Sequence, residues 1–250
     1  MDLVSIILPF YKKEKYIDET INSILSQTYR KFEIILIYDE TNLKNLKYLK
    51  NLFGKNKKIK IIVNKKNYGA GKSRNRGIKH SKGNFIAFID ADDIWKKNKL
   101  NHQIKFMKKY QIGASHTSYD IIDKKGSIIS KRFARTVGYK ELLASCDIGL
   151  SSVIIKKSYI KNDCSFPELK TKEDYVLWLK LSKKGLKFHG MKKIYVKWRK
   201  LNNSLSSSTI RKLIDGYKVY KHYLNFSFLR SIIYLIRLSL NFLKKNGNTF

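Results

Sequence analysis

Apolar residues fall along the chain in two alternating rhythms. Leu3 to Leu8 is a short apolar-rich run closed by Pro9, and Glu33 to Ile37, Ile59 to Val63 and Phe85 to Ile89 repeat the pattern. Runs of this length, bounded by polar turns, predict buried strands. Between them the spacing changes. Ile17, Ile21, Ile24 and Leu25 recur at helical intervals, as do Leu43, Leu46 and Leu49 within Asn42 to Phe53, and then Leu100, Ile104 and Met107. A glycine-containing turn leads into one more helix, from about Gly71 to His80. Apolar side chains three and four apart share a helix face. Strands alternating with helices predict βαβ units, hence a Rossmann-like α/β fold with a mostly parallel, right-handed sheet flanked by helices. From about Gly113 the rhythm becomes mixed, with strands at Ala114 to Ile122 and Ser152 to Ile155, a helix at Glu173 to Lys183 and a strand near Phe188 to Val196. One domain over residues 1–210 is expected, in halves 1–112 and 113–210, followed by a C-terminal helical segment, 211–250.

Charge changes the picture at the C-terminal end. The chain has 53 Lys and Arg against 19 Asp and Glu, a net charge of +34. That balance implies an anionic partner: nucleic acid, a membrane surface or phosphorylated substrates. From Val176 to Phe250 the single acid is Asp215, against 17 Lys and Arg, and the same stretch holds the Leu-, Ile- and Phe-rich segment Leu224 to Leu243. As a helix, it puts Leu229, Ile232, Ile233, Ile236, Leu240 and Leu243 on one face and Arg230, Arg237, Asn241 and Lys244 on the opposite one. Arg230 and Arg237 interrupt it as a membrane span, which needs about 20 mostly apolar residues. The pattern fits an interfacial helix lying on an anionic inner-membrane surface, or a terminal helix docked on its own domain. A basic and greasy tail suits a bilayer better than a duplex, so no nucleic-acid partner is expected. Met1-Asp2 leads directly into a strand, without a signal-peptide pattern, and Cys146 and Cys164 are the only cysteines. The expectation is a reduced, cytoplasmic protein, peripheral on the inner face of the plasma membrane.

The scarcity of acids makes their clustering informative. Three of them fall within four positions, Asp90-Ala91-Asp92-Asp93, directly after a strand. Like charges gathered in this way cost energy unless a cation offsets them. Asp90 and Asp92 can present oxygens to one Mg²⁺ or Mn²⁺, ions that take one or two carboxylates plus substrate phosphates. A plainer reading makes Asp92 or Asp93 the cap of a helix beginning near Asn98. Asp39 ends the second strand, and ligands of such sheets sit beyond the carboxyl ends of strands. Its carboxylate suits a base or ribose, or a simple turn. Gly69-Ala70-Gly71-Lys72-Ser73 looks like the end of a phosphate-binding loop, but Lys66 stands where that motif needs Gly. What remains is a helix N-terminus with Lys72 and Arg74 facing phosphates, or a surface turn. Glu173-Asp174 offers a general base ahead of Tyr175-Val176-Leu177-Trp178, although Thr171 with Asp174 also fits a capping box. Trp198-Arg199, with Ser204-Leu205-Ser206, suits a loop closing over phosphates. The 5 histidines lack metal-ligand spacing. A non-catalytic polyanion-binding α/β module is the alternative that charge alone supports.

Several of these segments, taken in order, resemble family 2 glycosyltransferases of the GT-A fold. The similar stretches are Val4-Ser5-Ile6-Ile7-Leu8-Pro9-Phe10-Tyr11, Gln27-Thr28-Tyr29 with Phe32-Glu33-Ile34-Ile35, Asn67-Tyr68-Gly69, Arg74-Asn75-Arg76-Gly77 and the run from Gly83 to Trp95. Glu173-Asp174-Tyr175-Val176-Leu177-Trp178-Leu179, Trp198-Arg199 and Ser204-Leu205-Ser206 extend the likeness over roughly residues 3 to 210. The resemblance implies an inverting transferase that uses a nucleoside-diphosphate sugar, often a UDP-sugar. Residues 1–112 would bind the donor and 113–210 face a saccharide or lipid-linked saccharide acceptor. Asp39 would read the base, flanked by Pro9 and Tyr11. Asp92 would be the main ligand of Mg²⁺ or Mn²⁺, with Asp90 near ribose or metal. Asp174 would be the catalytic base, and Arg74 and Arg199 would lie on the donor side, Arg199 near the diphosphate. The likeness extends to bacterial enzymes that build O-antigen, lipooligosaccharide or capsule. Lys12 replaces the family's usual Asn, and Tyr38-Asp39-Glu40-Thr41 replaces Asp-Asp-Gly-Ser, so base contacts there are expected to differ.

Overall fold

A computed structural model describes residues 2–161, 163–201 and 208–247. The N-terminal half runs β1 (Val4–Phe10), α1 (Ile17–Leu25), β2 (Phe32–Tyr38), α2 (Leu43–Phe53), β3 (Ile59–Val63), α3 (Ala70–His80), β4 (Phe85–Phe88), a two-residue β5 (Ile94–Trp95) and α4 (Lys99–Lys109). The second half runs β6 (Ala114–Ile122), β7 (Ile128–Arg132), α5 (Tyr139–Ala144), β8 (Ile154–Lys156), α6 (Glu173–Lys183) and β9 (Phe188–Arg199). The chain closes with α7 (Thr209–Lys218), a π-helical turn (Val219–Tyr223) and α8 (Phe228–Gly247).

Among the described residues nine strands form one sheet, in the order β3–β2–β1–β4–β8–β6–β9–β5, with β7 beside β6. β1, β2, β3 and β4 are mutually parallel, as the strand–helix alternation predicts. Beyond β4 the sheet is mixed: β8 runs antiparallel to β4 and β6, whereas β6 and β9 are parallel. β1 does not close at Pro9 but continues to Phe10, with Pro9 opposite Ile37. By that point β4 has ended, so the missing proline N–H leaves no ladder bond unmade on that side.

Strand alternation sorts the core onto two faces. Ile6 and Leu8 pack with Ile17, Ile21, Leu49 and Leu100, on the side of α1, α2 and α4. Ile7, Ile35 and Ile37 face the other way, in a core shared with Trp178 of α6 and Tyr220. Trp178 is fully buried and meets Phe188 edge to face at 5.2 Å.

The C-terminal helix follows the docked reading on one face and leaves its apolar stripe exposed on the other. α8 docks on the domain through buried Ser231 and Leu238 and through Asn241, whose Nδ2 donates to Ala144 O at 2.8 Å. Asn241 therefore lies on the domain side, and not with Arg230 and Arg237, which stay exposed. Leu229, Ile233, Ile236, Leu240 and Leu243 face outward. No described helix is long and apolar enough to cross a membrane.

Candidate active site

Beyond the carboxyl ends of β1 and β2 lies a cleft of about 460 Å³, lined by Tyr11, Lys12, Glu14, Glu40, Asn42 and Asn67. Tyr11 is 41% exposed at this cleft, and Pro9 is half-buried in the strand behind it. Lys12 turns the chain out of β1 with φ 50°. Asn enters this left-handed region more readily than Lys, which gives a backbone reason for the Asn of the resembled family. Asp39, buried at the end of β2, is heavily committed. Its Oδ1 accepts from Asn64 Nδ2 at 2.6 Å and Tyr68 N at 2.8 Å, and its Oδ2 accepts from Gly69 N at 2.8 Å. A carboxylate has about four acceptor positions. Asp39 therefore shapes the β3–α3 loop and keeps roughly one position for a ligand.

The start of α3 is roofed by the segment around Pro167. A Cβ on Gly71 would stand 2.7 Å from Pro167 O, so only glycine fits there. Lys72 pairs with Glu168 at 2.7 Å on the surface. Arg74 turns inward instead of toward solvent. It is 3% exposed, and its two terminal nitrogens each sit 2.7 Å from a carboxylate, one of Glu173 and one of Asp90. Burial works against its charge, but Asp90 and Glu173 overcome that and hold it above the ordinary guanidinium range. Arg74 thus joins the acid turn after β4 to α6 in the second half. Arg74→Met should lower stability by about 3 kcal/mol, because it strands two partly buried carboxylates. The midpoint of urea unfolding reads this directly.

The acid turn after β4 divides into a structural member and two outward ones. Asp93 is fully buried and accepts from Ser151 Oγ and, at 2.8 Å, from Arg199 N. Burial, then the charges of Asp92 and Asp90, push it well above the usual carboxylate range. Ser151 Oγ also accepts from Asp90 N at 3.0 Å, so one serine fixes both ends of the turn. Asp92 is 9% exposed, and its Oδ2 lies 2.6 Å from Lys13 Nζ. Burial raises its pKa against the pull of Lys13. Neither Asp92 nor Asp93 caps α4, and nor does the Asn98 side chain; Leu100 N in its first turn donates instead to Gln27 Oε1 at 3.0 Å.

Arg199 ends β9 with its guanidinium engaged on every nitrogen. Nε donates to Asp92 O at 2.9 Å, Nη1 to Asp123 O and Lys124 O at 3.2 Å, and Nη2 to Glu19 Oε2 at 2.6 Å. In this arrangement it staples the acid turn to β9 rather than projecting into the cleft. Ser204, Leu205 and Ser206 lie outside the described residues.

Asp174 occupies the first turn of α6, half-buried, where its Oδ1 accepts from Tyr175 N at 2.7 Å. Burial and then the neighbouring Glu173 push it up to about 7, against the pull of Arg74. No cation pairs with it among the described residues. The capping-box reading fails at its other end. Thr171 gives both its N–H and its hydroxyl to Asp215 Oδ2, at 3.0 and 2.8 Å, and Lys172 takes the cap position with φ 63°.

Sequence reading passed over Lys13, Ser151, Glu19 and Asn64. In a chain with 53 basic residues Lys13 carries no signal, and the other three act through folded contacts. Among the described residues no group of three or more His, Cys, Asp or Glu could cage a metal. The oxygen donors of Asp92 and Asp90 nevertheless fit a hard cation completed by phosphates and water.

A sheet whose parallel strands β1 to β4 open on a cleft beyond β1 and β2, with an acid turn after β4 and a carboxylate on a nearby helix, is the layout of a GT-A glycosyltransferase. The chain belongs to the family described as Glycosyl transferase family 2, whose profile matches residues 5–160. It is 38% identical over 213 residues to the UDP-Glc:alpha-D-GlcNAc-diphosphoundecaprenol beta-1,3-glucosyltransferase WfgD of Escherichia coli, covering 84% of this chain and 82% of that one. In fold it is similar to S. aureus TarS 1-349 in complex with UDP-GlcNAc, with TM-score 0.73, 23% identity and coverage of 94% of this chain and 70% of that chain. It is also similar to the mannosyltransferase PcManGT from Pyrobaculum calidifontis in complex with GDP-Man and Mn2+, with TM-score 0.67, 14% identity and coverage of 94% and 70%.

Proposed function

We propose that this glycosyltransferase is an inverting enzyme that moves a sugar from a UDP-sugar to a hydroxyl of a lipid-linked saccharide, in synthesis of a cell-surface polysaccharide or lipooligosaccharide. It would work in the cytoplasm, at the inner face of the plasma membrane. One observation carries the reading. Asp174 is a carboxylate without a cation partner among the described residues, pushed up to about 7, on a helix that Arg74 ties to the acid turn through Glu173 and Asp90.

The chemistry follows from those positions. Asp174 takes the proton of the acceptor hydroxyl as its oxygen attacks the anomeric carbon. The bond from that carbon to the nucleoside diphosphate breaks in the same in-line displacement, which inverts the configuration. Tyr11, which lines the cleft, and Pro9 in the strand behind it flank the base, and Asp39 meets it from the end of β2. Asp90 lies toward the ribose. Arg199 serves the donor through the turn it staples, and Arg74 by holding Asp90. Mg²⁺ or Mn²⁺ held by Asp92 would neutralise charge on the leaving diphosphate.

Melting temperatures with UDP-glucose, UDP-N-acetylglucosamine and GDP-mannose, each with and without Mn²⁺, test the donor. A UDP-sugar should raise the melting temperature, and more so with Mn²⁺. No shift with any donor, alongside DNA binding that falls steeply with salt, would instead fit a polyanion-binding module.

A further inference from the structure

α7 repeats, on the outside of the molecule, the pattern seen on α8. Ile210, Leu213 and Ile214 are 73%, 43% and 51% exposed. On α8 the outward stripe of Leu229, Ile233, Ile236, Leu240 and Leu243 is between 42% and 68% exposed. The two helices are held against each other. A Cβ on Gly216 would lie 2.9 Å from Leu235 Cδ1, so α7 and α8 touch closely there. The stripes are linked at one end by the rings of Tyr217 and Phe228, 6.3 Å apart, and Lys212 lies 5.6 Å from the Phe242 ring. Docking onto the domain uses the opposite sides, through Asp215, Gly216, Ser231 and Leu238. Soluble proteins rarely show a contiguous apolar area beyond a few hundred Å² without a partner for it.

The rim says which partner. Arg211 and Lys218 on α7, and Arg230, Arg237 and Lys244 on α8, are all exposed. The one acid of this stretch, Asp215, is buried and spent on Thr171. A second copy of the chain would bring the same cations against these, and a duplex offers nothing for eight apolar side chains. An anionic bilayer satisfies both parts: interfacial apolar depth for the stripes and lipid phosphates for the rim.

We propose that α7 and α8 together form one docking platform that lies in the plane of an anionic lipid bilayer. This deepens the membrane partner of the proposed function and rests on that reading only for which membrane face is used.

Co-sedimentation of the full chain with vesicles tests it without any substrate. Vesicles of phosphatidylcholine with phosphatidylglycerol should bind the protein, and vesicles of phosphatidylcholine alone at least about tenfold less. Leu213→Glu with Ile214→Glu, and separately Ile233→Glu with Ile236→Glu, should each weaken anionic-vesicle binding at least about tenfold. These positions are exposed, so an unchanged melting temperature accompanies the loss; Ser at the same positions is the gentler second set. Three results would overturn the proposal: equal binding to both vesicle types, an α7 pair without effect, or dimerisation in sedimentation with no vesicle binding. Hydrolysis of UDP-sugar in lipid-free solution is read in parallel. Its absence, with vesicle binding intact, would sink the catalytic reading and leave the platform standing.

Discussion

Asp174→Asn should lower turnover by about 10²–10⁴-fold, the range for losing a positioned general base, and leave donor affinity nearly unchanged. Asn keeps the shape and still accepts from Tyr175 N, so a carboxylate that only decorated a helix start would show a small effect. The wild-type pH profile gives a second reading. The base works ionised, and burial beside Glu173 pushes it up to about 7. The rate should therefore fall about tenfold per pH unit below that value. Stability moves in the other direction. A carboxyl whose folded pKa is raised binds its proton more tightly when folded, so its ionisation costs stability as pH rises from the ordinary carboxylate value of about 4 toward 7. Asp174→Asn abolishes that cost and should be no less stable than wild type at neutral pH. Slowed turnover together with a clearly lowered melting temperature would return the residue to a capping role.

Asp92→Ala should cost about 10²–10³-fold in transfer, the range seen when one preorganised electrostatic contact is removed from a reacting centre. It should also remove the Mn²⁺-dependent part of the donor-induced rise in melting temperature. Asp92 already has a partner, since Lys13 Nζ lies 2.6 Å from its Oδ2. Lys13→Met separates two roles for the carboxylate. If Asp92 exists to hold Lys13, both variants should lose activity alike. If it faces the donor, Lys13→Met frees it, and the Mn²⁺-dependent shift should persist or grow. Loss of the shift in Lys13→Met but not in Asp92→Ala would transfer the donor contact to the lysine.

The N-terminal half was legible because β1, β2 and β4 are continuous apolar runs buried on both faces and α1, α2 and α4 carry one apolar stripe each, whereas β3 is an edge strand with Lys60 and Val63 exposed and α3 is marked by its glycine turn. β1 to β4 and α1 to α4 accordingly fall near their expected places. The second half hid more. β5 has two residues and α5 has six, too few for any period to register. Ser152 was read as the start of a strand, yet it closes a 3-10 turn with Leu150 and Ser151 that hands the Ser151 hydroxyl to the acid turn. For the site, residue types suggested chemistry but not how each side chain is spent. Arg74 and Arg199 read as phosphate contacts because guanidinium suits phosphate. Folded, each lies under nine-tenths or more of cover and answers carboxylates or carbonyls. Which partner wins depends on what tertiary contacts bring within about 3 Å, and no local spacing encodes that.

Asp215 gives the outer helices a second meaning. It leaves α7 to grip the backbone and hydroxyl of Thr171, three residues before Asp174. Tyr220, just after α7, meets the hydroxyl of Tyr175, the residue that follows Asp174, at 3.1 Å. Asp174 is thus bracketed on both sides by the last quarter of the chain. A cut ahead of Thr209 would slacken the frame that holds its helix start.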